Sequence, residues 1–248
     1  MIAVDRQRRL ILEGAYNVRD IGGYVTVDGR RTRWRTLLRG DSLHRLSTAD
    51  QATLLDCGVR TIIDLRAAAE TRVEPSVFCM SQAVAYQHMP VINDVARGAH
   101  DPPPSLVAIY RHILDTAQEQ LAQLLRTLAQ PGALPALVHC TAGKDRTGLV
   151  VALLLGSAGV PAPTIAADYA LSDTYLGADF RAEARKRALA AGLDWNVYQQ
   201  LLICPPELML DALVYLDERY DGVHGYVRTI GLTETEVDAL RDALTERV

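Results

Sequence analysis

The chain has 248 residues, 49% of them hydrophobic, and a formal net charge of -4 at neutral pH. This length and apolar content suit a single α/β domain with a substantial core. The slightly negative balance, with no basic stripe set among aromatics, excludes a general nucleic-acid binder.

The first ten residues carry Asp5, Arg6, Arg8 and Arg9, and Glu13 and Gly14 follow where a signal peptide would have its apolar core. Sec-type export is therefore not expected. Tyr24 to Val27 and Arg31 to Leu38 flank Asp28-Gly29, a two-residue turn signal that predicts an N-terminal β-hairpin. Ser47 with Asp50 three residues later marks a helix start, and Gly58 marks its end. Arg60 to Leu65 and Ala83 to Met89 read as strands. Val91 to Pro104, with Asn93, Asp94, Gly98, His100, Asp101 and three consecutive prolines, reads as a loop. It lies one helix before the next strand, at the ligand-binding end of an open α/β sheet, where it would serve as a lid or as a solvent-exposed connector. Ser105 to Gln130 reads as one long helix with its apolar stripe at Leu106, Ile109, Ile113, Leu121, Leu124, Leu125 and Leu128.

Ala136 to Val138 reads as a buried strand and Gly148 to Leu155 as the start of an apolar helix. Helical segments follow near Thr164 to Leu176, Asp179 to Ala191, Pro205 to Tyr220 and Thr233 to Arg247, the last opened by a capping box of Thr233 and Glu236. Strands alternating with helices predict a mainly parallel central sheet flanked by helices, with a helical C-terminal part. The longest apolar run, Leu149 to Val160, is interrupted by Gly156 and Ser157. It falls short of the ~20 residues that span a bilayer, so no integral membrane association is expected. Cys57, Cys79 and Cys204 show no metal-like spacing and read as reduced core thiols of a cytoplasmic protein. The six histidines show no ligand spacing either, so neither metal nor cofactor is expected. Arg181, Arg185, Lys186 and Arg187 form a cationic run, read as a solvated helix face or as a site for acidic headgroups.

Between that buried strand and the following helix stands His139-Cys140-Thr141-Ala142-Gly143-Lys144-Asp145-Arg146-Thr147-Gly148. A thiol and a guanidinium sit at the two ends of a short loop at a helix N-terminus, where unpaired amides and the positive dipole end favour an anion. A phosphate there would bind the amides of Thr141, Ala142, Gly143, Lys144, Asp145 and Arg146, with Arg146 forking two of its oxygens and Lys144 adding a point charge. The same field would stabilise the thiolate of Cys140 as a nucleophile. A nucleotide-binding P-loop is excluded, because Asp145 stands where Ser or Thr would follow the lysine and no glycine stands at position 138.

This loop resembles the signature of the cysteine-dependent tyrosine phosphatase superfamily, and its Gly-Lys-Asp-Arg core resembles the bacterial atypical tyrosine and lipid phosphatases, which include secreted mycobacterial and listerial enzymes. Asn17-Val18-Arg19-Asp20-Ile21-Gly22-Gly23-Tyr24 resembles that family's opening motif, and Ile63-Asp64-Leu65-Arg66 its second. With the C-terminal Gly225-Tyr226-Val227-Arg228, the likeness covers nearly the whole chain, residues 1–248 as one catalytic domain. Gly40 departs from the pattern, since a serine would be expected after Arg39. The resemblance implies a protein-tyrosine-phosphatase-like fold and hydrolysis through a phosphocysteine at Cys140, without cofactor. It also leaves a non-Sec export route open.

Arg146 and the loop amides would stabilise the equatorial oxygens of the transition state. His139 would orient the loop, and Thr147 would donate to the sulfur. Four carboxylates compete for the role of general acid: Asp64, Asp94, Asp101 and Asp145. Asp145 is favoured by its place in the loop and by the resemblance; Asp64 would support the site or bind Arg66. Arg19, Asp20, Arg39 and Arg66 either line the mouth or form ion pairs that hold the N-terminal elements on the sheet. The expected substrate is a phosphorylated protein, phosphotyrosine first, with phosphoserine, phosphothreonine or a phosphoinositide as further candidates. Lys144 motivates the last, because such headgroups need additional cations. A rhodanese-like sulfurtransferase and a non-catalytic phosphate-recognition module are the alternatives.

Overall fold

Residues 8–91 and 105–247 are described by the computed structural model, in which short apolar strands alternate with helices. In chain order these are β1 (Arg19–Asp20), β2 (Arg30–Thr32), β3 (Leu37–Gly40), α1 (Thr48–Asp56), β4 (Thr61–Asp64), α2 (Ala68–Val73), β5 (Ala85–His88), α3 (Leu106–Thr116), α4 (Gln118–Ala129) and β6 (Ala136–His139). They are followed by α5 (Asp145–Ser157), α6 (Ala162–Ala190), α7 (Trp195–Tyr198), α8 (Pro206–Tyr220), α9 (Gly222–Thr229), α10 (Glu234–Leu244) and β7 (Thr245–Arg247).

The main sheet runs β1-β3-β6-β4-β5, parallel throughout except for β1. β6 therefore lies at its centre, with Gly40 and Asp64 on either side of His139 in the last row. Alternation along the strands sorts their side chains onto two faces. Leu37, Ile63, Ala136 and Val138 join the larger core beneath α3, α4 and α5, whereas Leu38, Ile62 and Leu137 join Leu12, Val18, Leu54 and Phe78 on the other face. α5 is buried from Thr147 to Leu155, as its all-round apolar sequence requires. No helix among the described residues is long and apolar enough to cross a membrane.

The central, mostly parallel sheet flanked by helices is the architecture expected from the sequence. Several details differ. The Asp28-Gly29 turn forms and Val25 bridges Arg31, but the ladder of β2 is made with β7 at the far end of the chain. Arg31 to Leu38 is not one strand, because Arg35 takes a left-handed backbone (φ 53) with its amide on Asp20 Oδ2 at 2.6 Å, which sends β2 and β3 into different sheets. The long helix bends at Ala117 (φ -101, ψ 25), yet its apolar stripe continues through Leu121, Leu124 and Leu128. α6 breaks at Gly177, between the two segments read from the sequence. The last helix ends at Leu244 because Thr245–Arg247 pairs with β2. α9 was not anticipated. Cys140 and Cys204 are buried, but Cys57 is only partly so and Cys79 is exposed, which corrects their reading as core thiols. The Val91 to Pro104 loop lies, from residue 92 on, outside the described residues, and Asp94, His100 and Asp101 with it.

Candidate active site

Cys140 follows the last residue of β6, at the carboxyl end of the sheet, and is 3% exposed. The next four residues turn the chain into α5. The turn is tight enough to need Gly143: its φ is +64, and a Cβ there would stand 2.4 Å from the carbonyl oxygen of Gly40 at the end of β3.

The carbonyls of this loop are tied down from outside. Ser42 N donates to Thr141 O at 3.1 Å, Asn17 Nδ2 to Ala142 O at 2.9 Å and to Gly143 O at 3.2 Å, and Arg39 Nη2 to Gly143 O at 2.8 Å. In a planar trans peptide the N–H points opposite to the carbonyl of the residue before it. Anchoring these carbonyls outward turns the amides of Ala142 to Lys144 inward, as an anion-binding nest at a helix N-terminus requires.

Arg39 is itself held. Its Nη1 lies 2.6 Å from Asp168 Oδ2, and Arg19 Nε lies 3.2 Å from Asp168 Oδ1, all three side chains being fully buried. Tyr24 Oη donates to the same carboxylate at 2.9 Å, and Arg19 also reaches Asn17 Oδ1. Burial alone would raise the Asp168 carboxyl, but the two guanidiniums hold it well below the usual carboxylate range. Burial and the nearby Arg39 lower Arg19 to about 10. Arg19 and Arg39 are therefore ion-paired supports of the loop rather than residues of the mouth. Arg66 is likewise internal, with Nε 2.9 Å from Asp64 Oδ1 and Nη2 2.7 Å from Asp64 Oδ2. Asp20 is buried too, accepting from the amides of Gly22 and Arg35.

Arg146 is positioned by a residue that the sequence reading missed. Both carboxylate oxygens of Glu70 face its guanidinium, at 2.7 Å (Nη1–Oε2) and 2.9 Å (Nη2–Oε1), and the Thr141 hydroxyl bonds to both partners. Burial would raise Glu70, but Arg146 brings it down to about 2. Glu70 also caps α2 by accepting from the Ala67 amide, so its position three residues into a helix start was the available signal. Asp168 gave none, since it lies 149 residues from Arg19.

His139 is fully buried, and that burial lowers it to about 4 despite nearby Asp64, so its ring is neutral at pH 7. Its Nδ1 is 3.3 Å from Cys140 O and its Nε2 is 3.5 Å from Asp64 Oδ2, a geometry of support rather than of proton donation. Thr147 Oγ1 is buried without a hydrogen-bond partner among the described residues, so the expected contact with the sulfur is not formed here.

The two described candidates for the proton donor are placed very differently. Asp64 is enclosed and accepts from the Arg66 side chain and amide and from Tyr86 Oη at 2.8 Å; burial would raise it, but Arg66 above all holds it well below the usual carboxylate range. Asp145 stands at the first position of α5 with its side chain 30% exposed. Its Oδ1 takes Tyr110 Oη at 2.5 Å and Lys144 Nζ at 3.0 Å. Lys144, expected to face a phosphate, is instead buried with Nζ 2.6 Å from Leu201 O and 3.0 Å from Ile203 O. Among the described residues no group of three or more His, Cys, Asp or Glu side chains could hold a metal ion.

Inward amides, a pinned guanidinium, a thiol and a carboxyl open on one side form a set able to bind a tetrahedral oxyanion and exchange one of its esters. Comparison with known proteins agrees with this chemistry. A sequence model described as the tyrosine phosphatase family matches residues 10–246. A tyrosine-protein phosphatase of Nostoc commune is 32% identical over 82% of this chain and 72% of its own. A triple specificity protein phosphatase of Mycobacterium tuberculosis, PtpB, is 27% identical over 94% of this chain and 98% of its own.

Proposed function

The chain belongs to the tyrosine phosphatase family, and we propose that within it this enzyme hydrolyses phosphotyrosine through a phosphocysteine at Cys140, with Asp145 as proton donor. In the first step the thiolate of Cys140 attacks phosphorus, the P–O bond to the tyrosine breaks, and the leaving oxygen takes the proton of Asp145. In the second step water attacks the phosphocysteine, Asp145 takes the water's proton, and Cys140 departs as thiolate with release of phosphate. Arg146 and the amides of Thr141 to Arg146 stabilise the three equatorial oxygens throughout.

The observation that carries this reading is the loop itself, with three successive carbonyls, Thr141 to Gly143, anchored outward and Arg146 fixed by Glu70. The choice of Asp145 over Asp64 rests on exposure and partners: Asp64 is buried and saturated with donors, and Asp145 opens outward. Phosphotyrosine is preferred to a phosphoinositide because the cation that would favour a polyanionic headgroup, Lys144, is engaged by the carbonyls of Leu201 and Ile203. The triple specificity in the name of the mycobacterial relative makes phosphoserine and phosphoinositides the comparison substrates. Four unpaired cysteines support a reducing compartment as the place of action.

The test is phosphate release from matched phosphotyrosine, phosphoserine and phosphoinositide substrates in metal-free buffer, with wild type and Cys140→Ser. Release that ranks phosphotyrosine first and vanishes in the variant is the expected result. Release that survives the substitution would remove the phosphocysteine, and a phosphoinositide ranked first would overturn the substrate assignment. Persulfide formation from thiosulfate without phosphate release would make the protein a sulfurtransferase.

A further inference from the structure

Asp145 is approached from two other helices, from the connection that precedes α8 and from its own loop. Tyr110 on α3 donates to Oδ1 at 2.5 Å, and Lys144 lies 3.0 Å from the same oxygen. Among the described residues, Tyr169 on α6, Cys204 beyond α7 and Arg146 on α5 itself also interact with it electrostatically. No hydrogen bond reaches Oδ2 from the described residues.

The phenol of Tyr110 has a second contact, with Tyr169 Oη at 2.7 Å. A phenol carries one proton. If Tyr110 gives its own to Asp145, the proton between the two rings must come from Tyr169, which fixes the direction of the chain as Tyr169 to Tyr110 to Asp145. Both rings are fully buried and meet edge to face at 6.3 Å. Burial and the neighbouring carboxylate push both phenols well above their ordinary pKa, so both keep their protons at any working pH.

The helix that carries Asp145 is shaped to admit this pair. Gly148, one turn on, would with a Cβ meet Tyr169 Cδ2 at 3.0 Å. A glycine inside a buried helix weakens it relative to alanine; here it is the residue that lets the Tyr169 ring lie against α5.

Resting on the reading of Asp145 as proton donor, we propose that Tyr110, backed by Tyr169, is its positioning residue. The Tyr110 hydroxyl and Lys144 occupy Oδ1, so that the transferable proton resides on Oδ2 and faces the leaving oxygen. Neither phenol touches substrate; the pair acts by restricting the carboxyl to one rotamer and one tautomer.

The experiment compares Tyr110→Phe, Asp145→Asn and the double variant on phenyl phosphate, whose leaving group needs a proton, and on 2,4-dinitrophenyl phosphate, whose leaving group does not. A positioned proton donor contributes roughly 10²–10⁴-fold, and Tyr110→Phe should remove on the order of tenfold of this in kcat/KM for phenyl phosphate. It should leave kcat/KM for dinitrophenyl phosphate, which reports the first step alone, within about twofold. The alkaline limb of the kcat profile should move to higher pH, because the carboxylate loses a donor that favours its charged form. In the Asp145→Asn background the second substitution should add nothing. Equal losses on both substrates with an unmoved limb would make Tyr110 a packing residue and overturn the proposal while leaving Asp145 in place. Full activity of Asp145→Asn on phenyl phosphate would remove Asp145 as the donor, and the proposal with it. Tyr169→Phe, which deletes only the rear hydroxyl, keeps the test readable if Tyr110→Phe fails to fold: a smaller loss confined to phenyl phosphate supports the chain, and no loss overturns it.

Discussion

Asp168 Oδ2 lies 2.6 Å from Arg39 Nη1, in a fully buried pair whose other guanidinium nitrogen holds the carbonyl of Gly143 at 2.8 Å. One carboxylate on α6 is thereby coupled through one side chain to the orientation of the phosphate loop. The same carboxylate balances Arg19, so that two buried cations depend on it. Asp168→Asn keeps the shape and removes the charge. Breaking a buried pair on one side costs about 3–5 kcal/mol, and this loss should appear as a lower denaturation midpoint together with a reduced kcat. A variant that unfolds at the wild-type midpoint would show that the pair supports nothing.

The two-point contact between Glu70 and Arg146 predicts a different phenotype. Glu70→Gln retains an oxygen for the Ala67 amide that caps α2 but cannot accept from both guanidinium nitrogens. The helix should persist while the fork loses its fixed plane. A fall of about tenfold in kcat/KM, equivalent to ~1.4 kcal/mol, is expected, with little change in thermal midpoint. Steady-state kinetics beside a melting curve checks it; an unchanged kcat/KM would leave Glu70 as a helix cap only.

What the sequence disclosed of this site was local. Cys140, Arg146 and Asp145 lie within one strand-loop-helix run, where spacing and the helix terminus carry the chemistry. The supports come from elsewhere, Asn17 by 125 residues, Arg39 by 104 and Glu70 by 76, and only the sheet order brings them together. Lys144 shows the opposite limit: its position in the loop was legible, but its side-chain direction depends on the carbonyls of residues 201 and 203. The bend at Ala117 was hidden because the apolar stripe keeps its period across it.

His139 gives a pH dependence whose sign is fixed by its burial. Its folded value of about 4 lies below the ordinary 6.5, so the neutral ring stabilises the fold above pH 6.5, and this contribution is lost as pH falls through 4. The size is about 3 kcal/mol for a shift of this magnitude. Asp41 acts in the opposite sense: burial raises it to about 6, so its contribution is present below pH 4 and lost as pH rises through 6. His139→Asn, which can keep a donor near Cys140 O, removes the first effect and leaves the second. Denaturant unfolding at pH 7 and pH 4.5 should therefore show a smaller acid loss in the variant than in wild type, and equal losses would refute the assignment.

Lys144 provides the sharpest contrast between residue type and placement. Its ammonium is buried and donates to Leu201 O at 2.6 Å and Ile203 O at 3.0 Å, and it is ion-paired with Asp145 Oδ1 at 3.0 Å. The ammonium is thus engaged by two carbonyls and one carboxylate of the protein itself. Lys144→Met keeps the apolar stem and deletes these bonds. The amides around residues 199–204 should exchange faster with deuterium, since the carbonyls that hold this stretch to the loop lose their donor. Affinity for inorganic phosphate should change by less than about threefold, or ~0.7 kcal/mol. Arg146→Lys, which replaces a planar fork by a point charge, should weaken it far more. Equal losses of phosphate affinity in the two variants, with amide exchange unchanged at 199–204, would return Lys144 to the role of a phosphate ligand.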